Sequence, residues 1–229
     1  MIEIIVIPPA SLSTADDAAW VELILDEQER RTYYAYRPEQ KRREFLAGRM
    51  LIKLTLSNKY SVSPRSIELI KGRYGKPSYP GAWQFNLSHS QGMVACAFAR
   101  DRAVGLDIES MDPANLQLAG HICTGDELNL IRRNPEREVR TFYELWTRKE
   151  AVIKAAGTGF TREPNQIEVP LQPVSCAMNG WTYSEPTEIW PSVLMSCVAE
   201  QQDHGEPEIS VFTMEWEQLQ ADLRLAIGN

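Results

Sequence analysis

Three short segments of this chain carry the side chains that are able to do chemistry. They are N-L-S-H-S at residues 86–90, G-L-D-I-E at residues 105–109 and W-T-R-K-E-A-V-I-K at residues 146–154. Together they supply three carboxylates, two lysines, one histidine and serine hydroxyls. Carboxylates bind hard cations such as Mg²⁺, and cationic side chains neutralise phosphate oxygens. The set therefore indicates a divalent metal ion that holds a phosphorylated substrate.

The two acids of the second segment stand two residues apart in a predicted strand, Ala103–Glu109. Side chains alternate along a strand, so Asp107 and Glu109 project from one face while Leu106 and Ile108 point into the core. A magnesium ion held by both acids keeps its other positions for water and substrate phosphate. The alternative is a solvated strand face, because a D-x-E pair by itself is common.

The third segment belongs to Val139–Ala156, which has the spacing of an amphipathic helix. Glu150 and Lys154 lie on one flank of its apolar stripe, whereas Lys149 falls inside the stripe, where lysine is uncommon. An exposed ion pair between residues 150 and 154 is the simpler interpretation, but it leaves Lys149 unexplained. We therefore predict that the Lys149 stem lies along the core edge and that its ammonium reaches a cleft rim.

Further groups suited to anions lie upstream. A basic, glycine-rich loop, K-G-R-Y-G-K at residues 71–76, lets backbone amides approach an anion but matches neither the Walker nor the dinucleotide-binding pattern. The N-terminal region is locally basic through Arg30, Arg31, Arg37, Lys41, Arg42, Arg43, Arg49 and Lys53. We expect most of these cations on solvated helix faces and one or two of them at a phosphate. The N-L-S-H-S segment alone is more often a capped strand end than an anion site.

The elements that must position these residues follow the order strand, helices, strands, helices, strands. We predict strands at Ile2–Ile7, Ile67–Ile70, Trp83–Ser88, Met93–Ala99, Ala103–Glu109, Val193–Ala199 and Glu208–Met214. We predict helices at Trp20–Tyr36, Glu39–Lys59, Leu116–Arg132, Val139–Ala156 and Gln218–Ala226. The strands Met93–Ala99 and Ala103–Glu109 are expected to form a hairpin. This order indicates an α+β fold with two halves joined near residues 110–115.

Composition narrows the class of protein. The chain has 229 residues and a net charge of −7, which argues against wholesale binding of nucleic acid or of an anionic membrane. Its four cysteines form no C-x-x-C pair and its three histidines lie far apart, so we expect buried, reduced thiols and no zinc site. The apolar start, Met1–Pro9, is too short for a signal peptide or a membrane span. We therefore expect a cytoplasmic protein.

The order of the motifs along the chain resembles that of the Sfp-type 4′-phosphopantetheinyl transferases. The resemblance covers residues 30–160, and its two most diagnostic parts, G-x-D-x-E and W-x-x-K-E-[AS]-x-x-K, are both intact. It implies a pseudo-dimer of two similar α/β halves, residues 1–109 and 110–229, with the active site at their junction. It also implies a monomer, since a chain of half this length would instead resemble the trimeric carrier-protein synthases.

The resemblance further implies catalytic roles for individual residues. Asp107, Glu109 and Glu150 match the magnesium ligands, and Glu150 is also a candidate base, directly or through bound water. Lys154 matches a contact to the pyrophosphate of coenzyme A. Lys149 matches the family lysine before the glutamate and is a candidate to assist the leaving group.

Binding roles for coenzyme A are implied in the same way. His89 matches a second pyrophosphate contact, and Arg30 matches the contact to the adenosine 3′-phosphate, although Arg31, Arg42 and Arg43 are alternatives. The remaining residues implied to line the nucleotide are Lys71, Lys76, Asn86 and Ser88.

The implied reaction is transfer of the 4′-phosphopantetheine group from coenzyme A to a serine of an apo fatty-acid, polyketide or peptide carrier protein. It releases adenosine 3′,5′-bisphosphate. A magnesium-dependent phosphodiesterase or nuclease is the alternative enzyme, but a general basic surface is missing. A non-catalytic module that binds carriers or nucleotides is a third possibility, which the intact acidic trio disfavours. We expect the carrier to dock beside Leu116–Leu130, which follows the acidic strand; ordinary core leucines are the alternative there.

Overall fold

The computed structural model describes residues 1–9, 17–159, 161, 163–203, 205 and 207–228. Within them, two β-sheets pack face to face and helices cover the outer face of each. The strands are β1 (Ile2–Ile7), β2 (Ile70–Lys71), β3 (Pro77–Ser78), β4 (Trp83–Ser90), β5 (Met93–Arg100), β6 (Val104–Ser110), β7 (Cys176–Met178), β8 (Trp181–Tyr183), β9 (Thr187–Trp190), β10 (Val193–Glu200) and β11 (Ile209–Thr213). The helices are α1 (Asp17–Ile24), α2 (Glu27–Ala35), α3 (Glu39–Tyr60), α4 (Ala119–Ile122), α5 (Gly125–Arg133), α6 (Glu138–Ala156) and α7 (Trp216–Gly228). Mixed α+β architecture is confirmed.

The two sheets meet through small side chains. The first sheet has the order β11-β1-β5-β4, and its outer face packs on α1, α3 and α7. The second has the order β6-β10-β8-β7, with β9 also paired to β10, and its outer face packs on α6. On the inner face of β5, alternate positions are Ala95, Ala97 and Ala99, all fully buried against residues of β6 and β10. No helix of the described residues is long and apolar enough to cross a bilayer.

The predicted hairpin of the strands at 93–99 and 103–109 is wrong, because β5 pairs with β4 and β6 pairs with β10. Instead, β6 runs beside β4, and side chains of β4 accept hydrogen bonds from the β6 backbone. The contacts are Leu106 N to Asn86 Oδ1 at 2.8 Å, Ile108 N to Ser88 Oγ at 3.2 Å and Ser110 N to Ser90 Oγ at 3.1 Å. This β4–β6 seam satisfies the edge amides of the second sheet and joins it to the first.

The glycine of G-L-D-I-E lies where α6 approaches β6 most closely. A Cβ at Gly105 would lie 1.9 Å from the carbonyl oxygen of Ala151 and 2.5 Å from the backbone nitrogen of Ala155. A side chain at this position therefore has no room. Since Gly105 and Asp107 share a face of β6, the close approach also brings Asp107 against α6.

Local capping explains where the predicted elements differ. The predicted helix Trp20–Tyr36 is two helices, because Asp26 and Glu29 form a capping box that begins α2. The predicted helix Leu116–Arg132 is interrupted likewise by the capping box of Thr124 and Glu127 at the start of α5. The predicted strand at 67–70 is reduced to β2. The sequence also predicts a polar turn at 201–207, between the last two strands, and this turn includes residues 204 and 206, which lie outside the described residues.

The chain crosses between the sheets twice. The strand β6 contains residue 109, the last of the predicted first half, yet it pairs in the second sheet, and β11 returns to the first sheet as the parallel neighbour of β1. The helix α7 follows β11 and packs on α3 in the first helical layer.

Candidate active site

Asp107 lies between β6 and α6 and is 2% exposed. Its Oδ1 accepts hydrogen bonds from Lys154 Nζ at 2.5 Å and from Ser88 Oγ at 3.1 Å. Its Oδ2 is buried and has no hydrogen-bond partner among the described residues. Burial raises the pKa of Asp107, and the ammonium of Lys154 opposes that rise. One carboxylate oxygen is thus held by cationic and polar donors, and the other is left for a ligand.

The carboxylates of Glu109 and Glu150 lie close enough to Asp107 for its charge to raise the pKa of both. Burial, then the charges of Asp107 and Glu150, raise the pKa of Glu109 to about 7, against the opposing effect of Lys154. Burial, followed by the charge of Asp107, also raises the pKa of Glu150. Three acids that oppose one another's ionisation are the environment expected of a cation site or of a proton acceptor.

The site's fit to magnesium rests on the unpaired Oδ2 and this concentration of negative charge. The described residues contain no preassembled group of three histidine, cysteine or acidic side chains with metal-ligand geometry. Magnesium does not require one, because it is usually held by one or two carboxylates, with substrate phosphates and water completing six positions. The unpaired Asp107 Oδ2 and the neighbouring acids therefore have the donor chemistry that a magnesium ion would need.

A groove of about 470 Å³ lies across the seam from these acids, between α3 and the 71–77 loop. Its cationic lining consists of Lys41, Arg49 and Lys71, and His89 adds an imidazole. A neighbouring groove of about 270 Å³ contains Glu150, Lys154 and Lys76. The two grooves share the lining residues Gly75, Pro77, Asn86 and Leu87. The molecule thus offers one continuous surface with Lys41, Arg49 and Lys71 at one end and Glu150 with Lys154 at the other.

Lys41 and Arg49 were only two among many basic residues in the sequence, yet both line the groove. Together with Phe45 they stand four residues apart on one face of α3. The Arg49 guanidinium lies 4.6 Å from the centre of the Phe45 ring. The signal that identifies them is this regular spacing of two cations around an aromatic residue.

His89 is held at the same end of the groove by buried Glu44. Glu44 Oε2 lies 3.4 Å from His89 Nδ1 and 2.8 Å from Lys41 Nζ. Glu44 Oε1 accepts a hydrogen bond from Gly92 N at 2.9 Å, which fixes the turn after β4. Burial lowers the pKa of His89, Glu44 opposes this, and Lys41 and Lys154 add to it.

Three side chains that were predicted to contact the nucleotide form hydrogen bonds within the protein instead. Lys76 Nζ donates to the carbonyl oxygens of Lys154 at 2.7 Å, Val104 at 3.1 Å and Ala155 at 3.3 Å. It therefore caps the end of α6, and burial lowers its pKa to about 8. Ser88 and Asn86 use their acceptor oxygens in the β4–β6 seam.

The prediction that the ammonium of Lys149 reaches a cleft rim is wrong. The side chain is fully buried, and its Nζ lies 2.9 Å from Glu127 Oε2. It also donates to the carbonyl oxygens of Pro164 at 2.9 Å and Ile167 at 2.6 Å. Lys149 therefore joins α6 to α5 and to the 164–167 segment, and its ammonium is enclosed by these contacts.

Arg30 does not line the groove. Its guanidinium contacts Glu22 Oε2 at 2.9 Å on the opposite side of α2 from Thr32, which does line the groove. Residues two apart on a helix point about 200° apart, so both cannot face one ligand. The alternatives Arg31, Arg42 and Arg43 are likewise absent from the lining.

Sequence comparisons with known proteins identify the family of the chain. A sequence profile described as "4′-phosphopantetheinyl transferase superfamily" matches residues 103–190, which include all three acids and Lys154. A 4′-phosphopantetheinyl transferase of Bacillus subtilis is 30% identical over 164 residues, or 70% of this chain and 72% of that protein. The 4′-phosphopantetheinyl transferase HetI of Nostoc sp. is 34% identical over 150 residues, or 62% of each chain. The 4′-phosphopantetheinyl transferase AcpT of Salmonella typhi is 36% identical over 123 residues, covering 51% of this chain and 60% of that protein. The chain therefore belongs to the 4′-phosphopantetheinyl transferase superfamily.

Proposed function

We propose that this phosphopantetheinyl transferase moves the 4′-phosphopantetheine group of coenzyme A to a serine of an apo acyl or peptidyl carrier protein. The observation that carries the proposal is buried Asp107, which has Lys154 on one oxygen and no partner on the other. In the proposed reaction, the serine oxygen bonds to the phosphorus that bears pantetheine. The bond from that phosphorus to adenosine 3′,5′-bisphosphate breaks, and the bisphosphate leaves.

Asp107, Glu109 and Glu150 would hold the magnesium ion, which supplies positive charge to the diphosphate oxygens. Lys154 adds a donor beside Asp107, and His89 adds one from the groove, so both oppose charge that develops on the leaving bisphosphate. Glu150 lines the groove and has a raised pKa, which suits it to take the serine proton. Lys149 takes no part in this scheme.

The cationic groove suits the nucleotide end of coenzyme A. We assign the adenosine 3′-phosphate to Lys41, Arg49 and Lys71 rather than to Arg30, because the three line one surface together with His89. Arginine and lysine are the usual phosphate donors. The reacting diphosphate then lies between this groove and the acids, where Leu87 and Asn86 line both grooves.

The two sheets with their helical layers would be the two similar halves of a monomeric pseudo-dimer, with the active site at the β4–β6 seam. The seam supports this, because its two strands contribute His89 on one side and Asp107 on the other. A cytoplasmic location fits the four cysteines, which are all free and of which Cys96, Cys123 and Cys197 are buried.

The carrier would dock beside Leu116–Leu130, in the segment that ends with Arg132 and Arg133. The segment's apolar residues Leu116, Leu118 and Ile122 are only partly buried against the core of the second half, and Arg132 and Arg133 at its end are exposed. It is tied to α6, because Tyr143 Oη accepts hydrogen bonds from Asp112 N at 3.0 Å and Asn115 Nδ2 at 2.9 Å. Partly exposed leucines beside arginines suit an acidic carrier with an apolar recognition helix.

The test is to incubate the protein with coenzyme A, magnesium and a panel of apo fatty-acid, polyketide and peptide carriers, and to weigh the carriers. We expect a mass gain equal to phosphopantetheine and an equal amount of adenosine 3′,5′-bisphosphate. Bisphosphate without any carrier gain would identify a phosphodiesterase. The absence of both products would leave a non-catalytic binding module.

A further inference from the structure

The hydroxyl of Ser88 has no hydrogen-bonding capacity left for a ligand. A serine hydroxyl donates one hydrogen bond and accepts two. Ser88 Oγ donates to Asp107 Oδ1 at 3.1 Å, and it accepts from Lys154 Nζ at 2.9 Å and from Ile108 N at 3.2 Å. The side chain is also buried, with 4% of the residue exposed. The Ser88 hydroxyl therefore contacts Asp107, Lys154 and Ile108 rather than the nucleotide.

Those contacts decide how the Asp107 carboxylate is turned. The last torsion of an aspartate has a broad preference, so the two oxygens are not distinguished by the side chain alone. Here two donors, Lys154 Nζ and Ser88 Oγ, both meet Oδ1, and Oδ2 is left buried and unpartnered. Ser88 also accepts from Lys154, so it fixes the ammonium and the carboxylate relative to each other.

We propose that Ser88 is a positioning residue whose hydroxyl orients Asp107 and Lys154 so that Asp107 Oδ2 faces the metal and the reacting diphosphate. This inference rests on the proposed function. The competing role is purely structural, since Ser88 is also one of the three acceptors in the β4–β6 seam.

Ser90 offers a matched comparison for that competing role. Its hydroxyl accepts from Ser110 N at 3.1 Å in the same seam, while its contact to Glu109 Oε2 is 3.5 Å, at the limit of a hydrogen bond. Ser88→Ala and Ser90→Ala therefore each remove one seam acceptor, but only Ser88→Ala removes a short contact to an acid and to a lysine. We expect both variants to lose similar amounts of thermal stability.

Turnover separates the two roles. We expect Ser88→Ala to lower kcat about 10- to 100-fold with the KM for coenzyme A within about twofold, because the loss is felt in the transition state. Ser90→Ala should keep kcat within about threefold, and Ser88→Thr, which restores the hydroxyl, should recover kcat to within about threefold. A readout without turnover is the rise in Tm caused by magnesium alone, which should shrink in Ser88→Ala and persist in Ser90→Ala.

Several outcomes would overturn the inference. They are an equal loss of kcat in Ser88→Ala and Ser90→Ala, a loss in Ser88→Ala that lies only in KM, and an equal magnesium response in both variants. If Ser88→Ala fails to fold, Ser88→Cys keeps the volume with a weak hydrogen-bonding group, and full turnover in it would also overturn the inference. Failure of the proposed function is separate: the wild type would then transfer nothing, while the magnesium response still tests the position of Asp107.

Discussion

Lys149 and Lys154 lie on the same helix, α6, in opposite surroundings. Lys149 is fully buried and satisfied by Glu127 and by two backbone carbonyls. Lys154 keeps 27% of its side chain exposed, lines a groove and contacts Asp107, which has a free oxygen. At about 100° per residue, five positions separate the two side chains by about 140° around the helix.

The difference shows that two lysines of one motif do separate work. A buried ammonium whose partners are all protein groups holds elements together and has nothing left to offer a ligand. An ammonium that is partly exposed beside an unsatisfied carboxylate is able to exchange that contact for a phosphate. Substitution of Lys149 should therefore lower the free energy of unfolding, whereas substitution at the Lys154–Asp107 pair should lower kcat.

The largest effect is expected at Asp107, which contacts Lys154 on α6. Asp107→Asn keeps the shape of the side chain and an acceptor for Ser88, but it removes the negative charge of a buried carboxylate whose Oδ2 has no hydrogen-bond partner among the described residues. We expect kcat to fall at least about 1,000-fold with the free energy of unfolding within about 1 kcal/mol of wild type. Carrier mass and urea unfolding measure the two quantities. Near-wild-type turnover at limiting magnesium would contradict the placement of the metal site.

The other side of the helix should respond in the opposite way. Lys149→Met leaves Glu127 buried without its cation, so we expect the free energy of unfolding to fall by about 3 kcal/mol. Turnover per folded molecule should stay within about threefold, because no substrate contact is lost. The matched double variant Lys149→Met with Glu127→Gln should recover part of the stability. A large loss of kcat at unchanged stability would abolish the contrast between the two lysines.

A third test moves the comparison to the nucleotide end. Arg49→Gln should raise the KM for coenzyme A about tenfold, whereas Arg30→Gln, outside the groove, should change it less than about twofold. Dephospho-coenzyme A serves as the second substrate, since it lacks the 3′-phosphate. The Arg49 variant should lose most of its preference for coenzyme A over this analogue. If only the Arg30 variant lost its preference for coenzyme A over dephospho-coenzyme A, the 3′-phosphate would instead bind at α2.

The carrier surface should give a smaller effect. Arg133→Glu reverses an exposed charge at the end of α5, and we expect the KM for the carrier to rise about threefold, with the rise fading at high salt. The KM for coenzyme A should not change. Arg100→Glu, at another exposed arginine, which ends β5, is the matched control. Equal effects of the two substitutions would show that only overall charge matters.

The smallest effect concerns stability and pH in the absence of magnesium. The pKa of Glu109 in the folded protein, about 7, lies above its ordinary value of 4.5, so the folded chain holds this proton more tightly than the unfolded chain. Stability should therefore fall as pH rises from 4.5 to 7 and stay low above that range. Glu109→Gln should flatten this part of the profile, as should added magnesium. A wild-type profile that rises through this window would contradict the shift.

Local sequence patterns correctly predicted the helices and strands whose formation depends only on their own residues. The helices α3 and α6 and the strand β1 follow from hydrophobic spacing, and the structure confirms them within one residue at each end. Pairing of β6 did not follow, because its partner is β10, more than 80 residues later in the chain. The alternation of Asn86, Ser88 and Ser90 is a sequence signal for the seam, but it acquires that meaning only when β6 lies beside β4.

The site was predictable where chemistry and spacing agree. The two-residue spacing in β6 placed Asp107 and Glu109 on one face, and α6 brought Glu150 and Lys154 to them. Helical spacing also identified Lys149 as a residue that needs an explanation. It could not identify the explanation, because Glu127 and the 164–167 carbonyls come from other segments of the chain.

The glycine at position 105 controls a distance within the candidate site. Its missing side chain lets the backbone of α6 touch β6, and the distance between Lys154 and Asp107 is set by that contact. An added methyl group would work as a wedge, driving the helix outward and separating an ammonium from a carboxylate without altering either charge. The distance between Lys154 and Asp107 thus depends on a backbone contact, so a substitution at a residue that does not contact the substrate would change it.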